Sequence, residues 1–385
     1  MSILRPNVLT SAGYIPGEQP TDPTVIKLNT NENPYPPSPK VMDAIRSITP
    51  EQLRKYPSPS GQPFREAAAK ILGGGNLTPD HILPFNGGDE LLSVAIRAAA
   101  SEHDSVAFLE PSYSLYPVLT EMNGSNALRL PYTINEPLPN ANCQLPIDRG
   151  HDAPQSAIGN RQSAMPAWRL PDNIESTPAK ILLIVNPNAP SGHLDPLDKL
   201  SHIAQNFKGL LVIDEAYVDF APTSAISLVQ KHPNVILLRT MSKGYSLAGL
   251  RFGYAIAQPA LLKQIEKVRD SYPVDAIAIA AATAAISDQA YAKSTWERVI
   301  AERTRVAGAL QAMGFSMPDS HSNFLLATTP PTAKLSAQQL YESLKSRGIL
   351  VRWWNLPRIS DKIRITIGTP DQNTRLLTEL KSLLQ

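Results

Sequence analysis

The segment Thr240-Met241-Ser242-Lys243-Gly244-Tyr245-Ser246-Leu247-Ala248-Gly249 sets a lysine just past an apolar run, among small residues and hydroxyls. An amine placed at the end of a buried strand loses its proton cheaply and can form a Schiff base with an aldehyde. Taken alone, Lys243 is more plainly read as a solvated loop charge. Its neighbours change that. Ser242 adjoins it and Arg251 follows eight residues on, and a hydroxyl with a guanidinium suits a phosphate group. The plainer reading of Arg251 is a surface ion pair.

Two more features point to the same chemistry. Asp214 closes an apolar run ahead of Glu215, Ala216 and Tyr217. A heteroaromatic aldehyde cofactor such as pyridoxal 5'-phosphate (PLP) needs a carboxylate against its ring nitrogen to act as an electron sink, although an Asp at a strand end also serves as a helix cap. Asn86-Gly87-Gly88-Asp89-Glu90 precedes the amphipathic run Leu91 to Ala100. Glycines at a helix start let backbone N–H groups approach an anion.

The apolar runs Val106–Leu109, Ile181–Val185, Leu210–Ile213 and Val235–Leu238 are separated mostly by helix-like stretches. Such runs predict strands buried on both faces of a largely parallel α/β sheet. Several end in polar residues, Glu110 to Tyr113, Asn186 to Asn188, Asp214 to Tyr217 and Thr240 to Lys243, where a parallel sheet places its ligand crevice. After Tyr272-Pro273, an alanine-rich helix, a strand at Asn323–Leu326, a helix near Ser336–Arg347 and the alternating Ile363-Arg364-Ile365-Thr366-Ile367 predict a smaller α+β domain. The first 60 residues, rich in proline, predict an extended arm. The polar stretch between Pro131 and Pro178 predicts disorder or a surface excursion. The expected division is a large domain over 36–272 and a small domain made of 1–35 with 273–385. No internal repeat is present.

Composition narrows the function classes. The 385 residues are 42% hydrophobic and 18% charged, with a formal net charge of +2. That balance fits a globular chain with neither a basic stripe for nucleic acid nor a membrane span. Cys143 is alone, so no intrachain disulfide forms, and the seven histidines show no metal-ligand spacing. The N-terminus lacks the apolar core of a signal peptide, which predicts a cytoplasmic protein.

In chain order these segments resemble the class I/II aminotransferases, most specifically through Thr240 to Arg251. Within that class the chain is similar to the histidinol-phosphate aminotransferase subfamily. The likeness lies in Gly13-Tyr14-Ile15-Pro16-Gly17, Leu28-Asn29-Thr30-Asn31-Glu32-Asn33-Pro34, Arg54-Lys55-Tyr56-Pro57, Asp214-Glu215-Ala216-Tyr217 and Ile363 to Thr369. The resemblance implies a fold-type-I PLP-dependent transferase with Lys243 as the Schiff-base lysine. It puts Asp214 on the pyridine nitrogen, Tyr217 on the phenolic oxygen, Tyr113 against the ring, and Gly88, Asp89, Ser242 and Arg251 around the cofactor phosphate. It also implies a homodimer in which Tyr56 reaches into the neighbour's site, and substrate anions gripped by Tyr14, Arg352 and Arg364. Read as residues alone, the two arginines are ordinary strand-edge charges.

One departure stands out. The family's Asn-Asn-Pro-Thr-Gly is Asn188-Ala189-Pro190-Ser191-Gly192 here, so the usual partner of the phenolic oxygen is an alanine. Asn188, Asn186 or Tyr217 must take over, and Asn188 is carried as a cofactor contact. The stretch from Asp148 to Asp172 is longer than the family needs. The implied reaction passes an amino group from glutamate to imidazole acetol phosphate, giving histidinol phosphate and 2-oxoglutarate in histidine biosynthesis. An aromatic amino-acid aminotransferase, a threonine-phosphate decarboxylase and a non-catalytic PLP-fold regulator are the alternatives.

Overall fold

The computed structural model describes residues 3–135 and 167–385. Seven strands form its central sheet: β1 (Ile82–Phe85), β2 (Ser105–Glu110), β3 (Asn126–Pro131), β4 (Ile181–Val185), β5 (Leu210–Asp214), β6 (Val235–Thr240) and β7 (Gly253–Ala257). Their spatial order is β1-β7-β6-β5-β4-β2-β3. Neighbours run parallel except β7, which is antiparallel to both β6 and β1. That reversal matters for the site. An antiparallel neighbour needs no helical crossover, so the chain turns back from β6 into β7 through residues 241–252 and keeps Lys243 at the carboxyl edge of the sheet.

The apolar strands are buried on both faces, as expected. Ile181, Leu183, Val185 and Val212 pack into one core with Leu91, Leu92 and Ile96 of the helix Gly88–Ala99. Leu182, Ile184, Leu211 and Ile213 pack into the other with Leu200 and Ile203 of the helix Leu197–Asn206. The alternation places every second side chain in each layer. The alanine-rich helix Ala276–Ser287 also joins this second core, through Ala278, Ala281, Ala282 and Ala285.

A separate core lies around the antiparallel pair Phe324–Thr328 and Lys362–Thr366, where Leu325, Ala327, Ile363 and Ile365 meet Val299, Val306, Leu340 and Leu376. The helices Gln289–Ala312, Ala337–Ser346 and Pro370–Leu384 supply the last four of these. The N-terminal arm joins the same unit. Ile26–Lys27 pairs in parallel with Ile349–Leu350, and Thr366 donates its backbone N–H to the Leu28 carbonyl at 3.0 Å.

Two expectations need correction. The first 60 residues are not extended throughout, because helices occupy Pro6–Thr10, Pro39–Arg46 and Pro50–Leu53. Proline obstructs a helix interior but suits its first position, where no N–H is needed. Ser38 and Thr49 cap the latter two helices ahead of Pro39 and Pro50, so Ser-Pro and Thr-Pro were start signals. Within the stretch 131–178, Thr133–Asn135 pairs antiparallel with Ala167–Arg169, and Trp168, Leu170 and Ile174 are buried in the second core. The rest of that expectation, over 136–166, lies outside the described residues.

Candidate active site

The carboxyl ends of β1, β2, β5 and β6 open on a cavity of about 760 Å³, closed on its other side by the N-terminal arm and residues 352–364. Eleven of the thirteen site residues expected from sequence lie in its wall: Gly88, Asp89, Tyr113, Asp214, Tyr217, Ser242, Lys243 and Arg251 from the sheet side, and Tyr14, Arg352 and Arg364 from the other. Two do not. Asn188 is fully buried behind the wall, donating from Nδ2 to Ser191 Oγ at 2.8 Å and toward the Pro111 carbonyl at 3.4 Å. Ala189, not Asn188, faces the cavity. Tyr56 is 80% exposed and stacks on Tyr272 with ring centroids 4.5 Å apart.

Lys243 Nζ donates to the Thr30 carbonyl of the arm at 3.0 Å. Burial pulls its pKa down to about 8, and the cations Arg364, Arg251 and Lys27 push the same way against Glu32. This amine therefore gives up its proton far more readily than an ordinary lysine. Asp214 ends β5, accepting from Tyr116 Oη at 2.9 Å and from the Ala216 N–H at 3.0 Å. Burial raises its pKa to about 6, and those two hydrogen bonds limit the rise. Near neutrality it is a carboxylate, as a partner for a protonated ring nitrogen must be.

The phosphate-like cradle is built from three elements. Arg251 Nη1 donates to Ser242 Oγ at 3.3 Å, and Arg251 Nη2 lies 3.4 Å from Asp89 Oδ2. Gly87 sits at φ +86, and a Cβ there would stand 2.7 Å from Arg251 Nη2, so glycine lets the guanidinium reach the start of the helix Gly88–Ala99. Asp89 Oδ1 accepts from Tyr113 Oη at 3.1 Å. With its carboxylate thus engaged, Asp89 offers an anion its backbone N–H at the positive end of a helix.

Opposite, Arg364 donates to the Asn29 carbonyl at 2.8 Å while its Nε is buried without a partner. Burial draws its pKa down to about 10, with Arg352 adding to the effect. Arg352 and Arg364 exchange backbone hydrogen bonds at 2.9 and 2.8 Å, so their side chains stand side by side. Tyr14 meets Tyr113 edge-on at 6.1 Å.

Sequence reading missed three residues that organise the site. Tyr116, in the first turn of the helix Leu115–Asn123, holds Asp214. Asn31 donates to Tyr217 Oη at 3.0 Å from the arm, and Trp354 lies against both arginines. Neither contact has any trace in local sequence.

Residues 23–380 match the family described as aminotransferase class I and II. The chain belongs to that family, enzymes that use PLP to move an amino group between a small-molecule donor and a keto acceptor. Among curated relatives, histidinol-phosphate aminotransferase 1 of Nostoc sp. is 45% identical over 99% of this chain and 98% of its own length. Histidinol-phosphate aminotransferase of Geotalea daltonii is 37% identical over 98% of each. Among solved structures, that of histidinol-phosphate aminotransferase from Sinorhizobium meliloti in complex with PLP is similar at a TM-score of 0.80, with 25% identity over 100% of this chain and 98% of that one. A Thermus thermophilus aspartate aminotransferase shares the fold at a TM-score of 0.73 and 21% identity, covering 100% of both chains.

The cavity wall fits PLP on its own terms. Ser112 Oγ lies in it as a buried polar atom with no partner, the Ser242–Arg251–Gly88 cradle suits a phosphate, and Asp214 suits a pyridinium. Among the described residues there is no helix long and apolar enough to cross a membrane and no cluster of metal-ligating side chains.

Proposed function

We propose that this aminotransferase interconverts histidinol phosphate and 2-oxoglutarate with imidazole acetol phosphate and glutamate, in the cytoplasm, as a homodimer in which Tyr56 completes the neighbour's site. Relatives at 37–45% identity carrying that enzyme's name support the reading. The observation that carries it is the paired guanidinium groups of Arg352 and Arg364, facing Lys243 across one cavity. A phosphate-bearing amine and glutamate have in common an amino group and an anion to be held apart at fixed spacing, and arginine forks bind phosphate and carboxylate equally well.

When bound, PLP supplies the electron sink that stabilises charge at the substrate's Cα. The protein does the rest. Ser242, Arg251 and the N–H groups of Gly88 and Asp89 hold the cofactor phosphate, Tyr113 covers the ring, and Asp214 keeps its nitrogen protonated. Tyr217, held by Asn31, hydrogen-bonds the phenolic oxygen, with Asn188 set behind Ala189 as a support of the Pro111 turn. Lys243 Nζ, with its depressed pKa, takes the proton from Cα and returns it on the other side of the reaction. Tyr14, Arg352 and Arg364 orient the substrate through its anion. For the chain as a whole we propose a large domain over 36–272 and a small one from 1–35 with 273–385, joined by the helix Ala276–Ser287 that packs on the large-domain core.

The test is a single-turnover comparison of histidinol phosphate, phenylalanine and threonine phosphate, following the absorption of the bound cofactor. Fastest conversion by histidinol phosphate is expected. Preference for phenylalanine, or release of carbon dioxide from threonine phosphate, would overturn the substrate assignment. Light scattering of the purified protein checks the dimer.

A further inference from the structure

Trp354 lines the cavity beside the two arginines, and nothing in the chemistry above uses it. Its ring centroid is 5.4 Å from the guanidinium carbon of Arg352 and 5.0 Å from that of Arg364. Arg364 also lies 5.2 Å from the ring of Phe324. Phe324 meets Tyr217 edge-on at 5.0 Å. Arg352, Trp354, Arg364, Phe324 and Tyr217 thus form a continuous chain of guanidinium–aromatic and edge-on aromatic contacts, from the outer arginine to the cofactor wall.

Elementary electrostatics makes such contacts necessary. Arg352 and Arg364 are directly paired across an antiparallel bridge, where like charges destabilise one another. Left alone, the more exposed guanidinium would swing to solvent and leave a single cation in the cavity. An aromatic face attracts each cation by about 0.5–2 kcal/mol. One ring within reach of both guanidiniums offsets part of their repulsion and holds both to the same wall. Arg364 keeps a buried, unpartnered Nε in this arrangement, a donor held ready for an acceptor.

We propose that Trp354 is the positioning residue that makes this site selective for dianions: by holding Arg352 beside Arg364 it presents two positive charges to one phosphate ester, where a single carboxylate needs only one. A phosphate monoester carries about −1.5 to −2 charges at neutral pH, so it gains most from the second cation. The inference rests on the functional reading above and adds to it the device that ranks a phosphate-bearing amine over a simple amino acid.

The experiment compares holoenzymes of the wild type, Trp354→Phe and Trp354→Leu. In Trp354→Leu the KM for histidinol phosphate should rise about tenfold or more and that for phenylalanine less than about threefold, with kcat little changed for either. Calorimetric titration with inorganic phosphate should weaken by a similar factor. Trp354→Phe, which keeps an aromatic face, should recover most of the loss. Equal shifts for both donors, or a Phe variant as poor as the Leu variant, would mean that Trp354 is packing only and would sink the proposal. Its failure stays distinct from that of the functional reading. Wild type that transfers no amino group from histidinol phosphate defeats the reading, whereas wild type that does so beside an unaltered Trp354→Leu defeats this inference alone.

Discussion

The two walls of the cavity are built on different plans. On the sheet side, Gly88, Tyr113, Asp214, Ser242 and Lys243 each stand within a few residues of the carboxyl end of a strand. Backbone ladders through two packed cores fix them. On the opposite side, Tyr14, Arg352, Trp354 and Arg364 come from the N-terminal arm and the C-terminal part of the chain, and are held by contacts such as Arg364 to the Asn29 carbonyl. On the proposed reading, the reaction chemistry, the same for every substrate, sits on the sheet frame, and recognition of the substrate anion sits on the piece assembled from distant parts of the chain.

Substitution on the two walls should therefore fail in different ways. Lys243→Ala removes the amine that moves the proton, and amino transfer should fall at least about 10³-fold for every donor alike, within the range of a lost acid–base group. The visible absorption of a lysine-bound cofactor should vanish with it. Arg364→Leu should keep that absorption. It should raise KM for histidinol phosphate and for glutamate roughly 10- to 100-fold, as expected for a lost charge-assisted bond of about 1.5–3 kcal/mol. A variant at Arg364 that lost the cofactor would erase the distinction between the walls.

A smaller change sharpens the sheet-side half. The Tyr116 hydroxyl stabilises the charged form of Asp214, so it holds down a pKa that burial has already raised to about 6. In Tyr116→Phe that restraint is gone and the pKa climbs. Activity that needs an ionised Asp214 should then lose its acid side at higher pH, by about one unit for a bond of 1.4 kcal/mol. The pH profile of kcat/KM with histidinol phosphate measures it. An unmoved acid limb would show that Asp214 does not set it.

The same division explains what was legible in the sequence. Strand-end residues announce themselves, because an apolar run followed by Asp214 or by Ser242-Lys243 gives both the element and the place of the side chain on it. The arginines were legible only as matches to a family pattern, since nothing near Arg352 says that it will lie beside Arg364. Trp354 and Asn31 could not be read at all. Their importance is a matter of which side chain meets which across hundreds of residues. Asn188 shows the converse. It adjoins the missing asparagine in sequence, yet it heads a tight turn closed by the Gly192 N–H on its own carbonyl, and its side chain is engaged with Ser191 and the Pro111 carbonyl.

Asn31 is where the walls meet, and it provides the finest test. It sits at φ +61, a left-handed backbone that asparagine tolerates and glycine adopts freely. Its Nδ2 donates to Tyr217 on the cofactor wall and its Oδ1 accepts at 2.9 Å from Oγ1 of Thr366, two residues after Arg364. Backbone bonds to Thr366 Oγ1 and from Asn323 Nδ2 would survive loss of the side chain. Asn31→Gly thus deletes two side-chain hydrogen bonds without backbone strain, at about 1 kcal/mol each, and Asn31→Ala adds roughly 1–2 kcal/mol for the left-handed conformation. Thermal unfolding should rank the stabilities wild type, Gly, Ala. Because Tyr217 loses its hydrogen bond from the arm while Arg364 keeps its own to the Asn29 carbonyl, kcat should fall severalfold in both variants with KM for histidinol phosphate nearly unchanged. A rise in KM equal to the fall in kcat would instead place Asn31 with the anion wall.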